Sequence, residues 1–149
     1  MRILIDIAHP AHIHFFKHII SDLKQNGHQI GITAREKDVT LNLLRSYNLE
    51  YVIISKSSQN KFIELLQRTI NILKFAKKFN PDIMIGIGGE SIAQASKVLN
   101  TPAVILTDTE HAKIIHILSF PFADVILTPS SYNGSIGRKQ IQYNGYHEL

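Results

Sequence analysis

Arg2-Ile3-Leu4-Ile5-Asp6-Ile7, followed at once by Ala8-His9-Pro10-Ala11-His12, decides the architecture. Ile3, Ile5 and Ile7 alternate with Leu4, so both faces of the run are largely apolar. That is the pattern of a parallel strand buried on both sides. Pro10 suits the first turn of a helix. Ile13, Phe16, Ile20 and Leu23 then recur at helical spacing, and Gly27 is a natural stop. The chain therefore opens with a strand, a short polar turn and a helix.

The same unit repeats outward from there. His28 to Ala34 reads as a second strand, with a short helix around Leu43, Leu44 and Tyr47. Tyr51 to Ile54 reads as a third strand. Lys61 to Phe79 is the longest helix, with Phe62, Leu66, Leu73 and Ala76 on one face and Pro81 as its stop. Ile83 to Ile85 forms a fourth strand, and Gly86 to Gly89 a glycine-rich turn. In the next helix Ile92, Ala95, Val98 and Leu99 share a face, closed by Asn100 and Pro102. Ala103 to Leu106 is a fifth strand, His111 to Leu118 a short helix, and Val125 to Leu127 a sixth strand. Ser130 to Lys139 reads as a loop, and Ile141 to Tyr143 as a seventh strand. Strands alternating with helices imply right-handed crossovers and a mainly parallel sheet of six or seven strands. The expectation is a Rossmann-like, three-layer α/β domain.

The bulk numbers fit one domain. A chain of 149 residues buries roughly 68–70% of the surface its unfolded form exposes. It contains no cysteine, which excludes disulfides, cysteine zinc sites and thiol nucleophiles. Asp6 and His9 interrupt the first apolar run too early for a signal peptide. No stretch approaches the roughly 20 apolar residues a membrane helix needs, so a cytoplasmic location is expected. The formal charge is +4. The basic residues are scattered and not interleaved with aromatics, so no nucleic-acid partner is expected.

Ligands of open parallel sheets bind beyond the carboxyl ends of the strands. Three polar clusters fall there. The first is Asp6, His9, His12 and His14. His12 lies near a helix start, where it could act as a general base or contact a phosphate or sugar. His14 and His18, four apart, share a face and read as packing or solvent-facing. The strand-to-helix bend breaks regular ligand geometry, so no metal site is expected.

The second cluster is Gly86-Ile87-Gly88-Gly89-Glu90-Ser91. Its glycines allow close approach of backbone to a ligand, with Glu90 or Ser91 as the alternative cap of a plain turn. It is neither a P-loop nor the dinucleotide fingerprint. The third is Thr107-Asp108-Thr109-Glu110-His111. Two carboxylates and an imidazole suit acid/base chemistry. A helix start capped by Asp108 or Thr109 is the competing reading.

These stretches resemble domain-of-unknown-function family 354. The resemblance runs through Asp6-Ile7, Pro10 to Phe16, Thr33-Ala34-Arg35, Gly86 to Gly89, Asp108 to Ala112, Pro121 to Asp124, Leu127 to Pro129 and Tyr143 to Leu149. That family is in turn similar to the N-terminal half of the GT-B fold, shared by glycosyltransferases and UDP-N-acetylglucosamine 2-epimerases. The resemblance implies an acceptor-side domain over residues 1–149, facing a second GT-B domain or subunit that this chain does not include. It implies a nucleotide sugar, expected as a UDP-sugar substrate with no further cofactor, and a glycan or lipid-linked acceptor.

His12, Glu90, Asp108 and Glu110 become the expected catalytic residues. Asp6, His9, Gly88, Gly89, Ser91 and His111 are the expected substrate contacts. Glycosyl transfer in cell-surface polysaccharide synthesis is the first expectation, with His12 as the base and Gly88 and Gly89 offering N–H groups. Epimerisation of a UDP-sugar and a non-catalytic partner module are the alternatives. The first loop lacks the Gly-Thr-Arg-Pro-Glu of the epimerases. Lys74, Lys77 and Lys78 on the longest helix leave two readings open. One is a helix packed on the sheet with a solvated basic edge; the other is peripheral contact at the inner face of the membrane.

Overall fold

The computed structural model describes residues 1–56 and 58–145, the Asp38 side chain excepted. Seven strands form one sheet in which all six neighbouring pairs are parallel. They are β1 (Arg2–Ile7), β2 (Gln29–Glu36), β3 (Val52–Lys56), β4 (Ile83–Ile87), β5 (Ala103–Leu106), β6 (Val125–Pro129) and β7 (Gln140–Tyr143). Five helices connect them: α1 (Pro10–Gln25), α2 (Asp38–Ser46), α3 (Lys61–Phe79), α4 (Glu90–Leu99) and α5 (Lys113–Ser119). The three-layer α/β fold expected from the sequence is present, with seven strands where six or seven were expected. Tyr146 to Leu149, the end of the last resembling stretch, lie outside the described residues.

Two apolar cores flank the sheet. Ile3, Ile5 and Ile7 of β1 pack with Ile13, Phe16 and Ile20 of α1 and Leu41 and Leu44 of α2. Leu4 points the other way, with Ile72 and Ala76 of α3, Ile92 and Ala95 of α4, and Met84 of β4. The alternation along β1 therefore feeds both layers, as period-two geometry requires.

The strand order is β3-β2-β1-β4-β5-β6-β7. The chain runs outward from β1 to β3, then returns to the other side of β1. The connections thus diverge between β1 and β4, and their loops separate to leave a crevice there. The first and fourth strand loops, singled out by composition, border that crevice.

One helix face differs from the expectation. Glu64, Arg68, Ile72 and Ala76 form the buried face of α3, whereas Phe62 is 69% and Leu66 53% exposed. Apolar spacing pointed to the wrong side of the first two turns. Charged side chains occupy the buried side there because they have partners on β1 and β2. Val98 of α4 is likewise exposed. The longest helix ends on Asn80, whose left-handed φ of 53° closes the last turn, one residue before the stop expected at Pro81.

Candidate functional site

β1 ends on Asp6 and Ile7, and Ala8 leads into α1. Asp6 was expected to contact substrate, but it is 3% exposed and both carboxylate oxygens are engaged. Oδ1 accepts from Thr33 Oγ1 at 2.9 Å, and Oδ2 accepts from Arg68 Nη2 at 2.5 Å. Where a substrate contact was expected, the structure places a buried carboxylate that holds an arginine. A parallel arrangement lies beside it. Arg35 Nε, at the end of β2, lies 2.5 Å from Glu64 Oε1 of α3. Glu64 also accepts from the Ser58 N–H at 3.2 Å and pairs with Lys61 at 3.4 Å. Burial works against the Glu64 anion, yet the Ser58 N–H, Arg35 and Lys61 together hold its pKa below the ordinary value.

Arg35 and Arg68 open onto a cavity of about 310 Å³. Ala8, His12, Gly88, Glu90, Thr107 and Asp108 are among its other lining residues. The loops after β1, β4 and β5 therefore converge as their composition suggested. A second hollow of about 200 Å³ adjoins it, lined by His9, Phe15 and again by His12 and Asp108. His12 and Asp108 thus border both spaces.

His9 and His12 differ in their local tasks. The His9 ring is the N-cap of α1, its Nδ1 accepting from the Ala11 N–H at 3.3 Å. His12 Nδ1 accepts from the Ala8 N–H, also at 3.3 Å. A neutral imidazole bonded in this way carries its proton on Nε2. The first loop therefore folds back onto the ring that it positions.

The β4 turn brings Gly88 and Glu90 to the cavity, but not Gly89 or Ser91. Gly88 was expected to offer its N–H to a ligand. That N–H instead donates to the Leu106 carbonyl at 2.8 Å, extending the β4–β5 ladder. Gly89, at φ +40°, caps α4, and a Cβ there would come within 2.7 Å of the Ile105 side chain. Ser91 is buried at 3% exposure. Gly89 and Ser91 are outside the lining of both cavities.

The β5 loop splits in the same way. Asp108 lines both cavities, whereas Glu110 and His111 line neither. Glu110 Oε1 accepts from the Asn133 N–H at 2.6 Å and ties this loop to the one before β7. The competing reading, a helix capped by Asp108 or Thr109, is overturned, since α5 starts at Lys113 with Ala112 as its N-cap.

Three further residues support the loop. His116 Nε2 lies 3.3 Å from Thr107 Oγ1, and its ring stacks on Phe120. Burial lowers the His116 pKa, against an opposing hydrogen bond to the Thr109 backbone. Tyr143 of β7 has its pKa pushed up to about 12, first by burial and then by the charge of Asp108. Arg35 stood inside a resembling stretch without a role, and Arg68 carried no local signal. Among the described residues, no group of three or more His, Asp or Glu is arranged to hold a metal ion. No helix among them is long and apolar enough to cross a membrane.

Known structures share this architecture. MurG of Acinetobacter baumannii superposes with a TM-score of 0.80 at 18% identity, over 97% of this chain and 46% of its own. The UDP-GlcNAc 2-epimerase of Methanocaldococcus jannaschii gives 0.73 at 16% identity, over 89% of this chain and 40% of its own. The spinosyn rhamnosyltransferase SpnG, complexed with thymidine diphosphate, gives 0.66 at 14% identity, over 100% of this chain and 51% of its own. At these identities the likeness establishes the fold alone, a Rossmann-like three-layer α/β domain that each of these proteins contains within a longer chain. In sequence, the uncharacterized protein MJ0665 of Methanocaldococcus jannaschii is 25% identical over 157 residues, covering 100% of this chain and 46% of that protein. The chain thus spans less than half the length of that relative. Residues 1–145 match the family described as protein of unknown function (DUF354), and the chain belongs to that family.

Proposed function

We propose that the chain is the acceptor-side half of a GT-B type sugar-nucleotide enzyme that performs glycosyl transfer in cell-surface polysaccharide synthesis. The observation that carries this reading is the shared cavity of His12, Glu90 and Asp108 beside the β1–β4 crevice. An acceptor hydroxyl in that cavity would meet an imidazole and two carboxylates. The ring setting adjusts the roles expected for them. With the Ala8 N–H on Nδ1, His12 presents an Nε2–H donor, so it hydrogen-bonds a substrate oxygen. Asp108 then accepts the hydroxyl proton as the new glycosidic bond forms and the nucleoside diphosphate leaves. A second GT-B domain or subunit would hold most of the nucleotide sugar and close the other wall of the cleft. The exposed Phe62, Leu66, Ile114 and Ile117 side chains support an acceptor presented at the inner face of a membrane.

The test uses the protein in its longest native form, with UDP-sugars and lipid-linked or free glycan acceptors. Nucleoside diphosphate release that depends on acceptor supports transfer. Two carboxylates in one cavity also favour a second reading, acid/base epimerisation of a UDP-sugar. Interconversion of UDP-GlcNAc with its 2-epimer in the absence of acceptor would establish that reading and sink transfer.

A further inference from the structure

We infer that the acceptor carries a negatively charged group, a carboxylate or a phosphate, and that Arg35 and Arg68 bind it. This rests on the acceptor-side reading above. The two guanidinium groups come from separate elements, the end of β2 and the second turn of α3, yet both line one cavity. Each is oriented from behind by a carboxylate outside the cavity lining, Glu64 for Arg35 and Asp6 for Arg68. Glu64 and Asp6 are themselves fixed, by Ser58 and Lys61 and by Thr33 respectively.

Buried ion pairs are poor sources of stability, because desolvation offsets the attraction. Two of them side by side at the ligand edge therefore point to positioning. A guanidinium has five N–H donors, and Arg68 gives Asp6 one nitrogen. Arg68 is 9% exposed, and its Nε has no hydrogen-bond partner among the described residues. That nitrogen is itself sealed from solvent, so what Arg68 offers a ligand is the part of its side chain that lines the cavity.

The order of strands separates the charges along the cavity. Arg35 stands at the β2 end, while Glu90 and Asp108 follow β4 and β5 across β1. An anion would be held toward the β2 end by the two guanidinium groups, whose planar donors suit carboxylate and phosphate. It would be kept from the β5 end by two carboxylates. A sugar seated this way has its anionic group near Arg35 and a hydroxyl near His12 and Asp108. The volume, about 310 Å³, is at the small end of ligand sites, which suits a single sugar residue.

The experiment titrates the 149-residue protein with glucuronate, glucose 6-phosphate and glucose, following the Gly88 amide by NMR. At least one anionic sugar should bind at least about tenfold more tightly than glucose. Glucuronate alone identifies a carboxylate, glucose 6-phosphate alone a phosphate. Arg35→Gln should remove that preference; because Lys61 still neutralises Glu64, this variant should stay folded. Arg35→Lys should restore only part of it. Equal binding of all three sugars, or an unchanged preference in folded Arg35→Gln, overturns the inference. Anion preference without transferase activity in the longest native form would leave the subsite standing and remove the transfer reading. Acceptor-dependent transfer with no anion preference would do the reverse.

Discussion

Arg68 of α3 holds Asp6 of β1 through a buried pair, Nη2 to Oδ2 at 2.5 Å, although 62 residues separate them in sequence. The pair pins the longest helix to the central strand beside the cavity. Removing one partner strands the other charge in a site that water barely reaches, which costs about 3–5 kcal/mol. Asp6→Asn and Arg68→Met should each lower stability toward that range in urea unfolding. Asp6→Leu combined with Arg68→Met should cost less than either single change, because no charge is left buried. A double variant as unstable as the sum of the singles would show that the pair does not act as a unit.

Gly89 has the tightest backbone placement in the β4 turn. Its φ of +40° is left-handed, and an added Cβ would lie 2.7 Å from Ile105 Cδ1. Gly88, at φ +69°, would meet Ile115 only at 3.5 Å, an ordinary contact. Gly88→Ala should therefore cost about 1–2 kcal/mol of left-handed strain. Gly89→Ala adds overpacking of about 1–3 kcal/mol. Thermal unfolding should place Gly89→Ala well below Gly88→Ala, by roughly 2–4 °C per kcal/mol for a domain of this size. Equal melting points would mean that the core around Ile105 yields freely.

The alternation in β1 and the glycines after β4 were legible because they act locally. Period-two burial and left-handed turns are set by a few neighbouring residues. The same holds for Lys61 to Phe79, whose helical bounds could be read directly. The orientation of α3 could not. Glu64 and Arg68 look like solvated charges until β1 and β2 supply Asp6 and Arg35, and those partners are remote in sequence. Asp108 and Glu110 show the same limit at the site. Composition marks both as candidates, yet only the fold shows one lining the cavity and the other bonded to Asn133.

His116 gives the β5 loop a pH sensitivity. Burial lowers its folded-state pKa from the ordinary 6.5. The unfolded chain therefore binds this proton more readily than the folded one. Above pH 6.5 both forms are neutral here and nothing changes. As pH falls through 6.5 and on through the lower folded value, the unfolded state gains and stability is lost. Equilibrium urea unfolding between pH 8 and pH 5 should show this loss, and His116→Gln should flatten that part of the profile. An unchanged slope in the variant would assign the loss to other groups.

Tyr143 reports on Asp108 from the other end of the pH scale. With its pKa pushed up to about 12 by burial and by the Asp108 charge, its phenol should ionise in a late step of an ultraviolet titration. Folding stability tied to this group is present below pH 10, the ordinary value, and declines as pH rises toward 12. Tyr143→Phe should remove the late step. Asp108→Asn should move it back toward 10, though not fully, because burial is the larger cause. A late step that ignores Asp108→Asn would separate the two residues.

Glu110 and Asp108 stand two residues apart and should answer oppositely to substitution. Glu110 Oε1 accepts from the Asn133 N–H at 2.6 Å, and an amide oxygen can accept the same bond. Glu110→Gln should then keep most of the loop's stability, while Glu110→Ala loses about 0.5–1.5 kcal/mol, because water can replace the acceptor at this exposed bond. Neither change alters a group that lines the cavity. Asp108→Asn keeps the size of the side chain but removes its ability to take a proton. If Asp108 is the base, kcat in the longest native form should fall by about 10²–10⁴ with KM little changed. His12→Gln should chiefly raise KM, since it removes a ring that donates to a bound oxygen. The reverse pattern, a kcat loss confined to His12→Gln, would return the role of base to the imidazole. It would also require the ring to give up its bond from Ala8 during turnover.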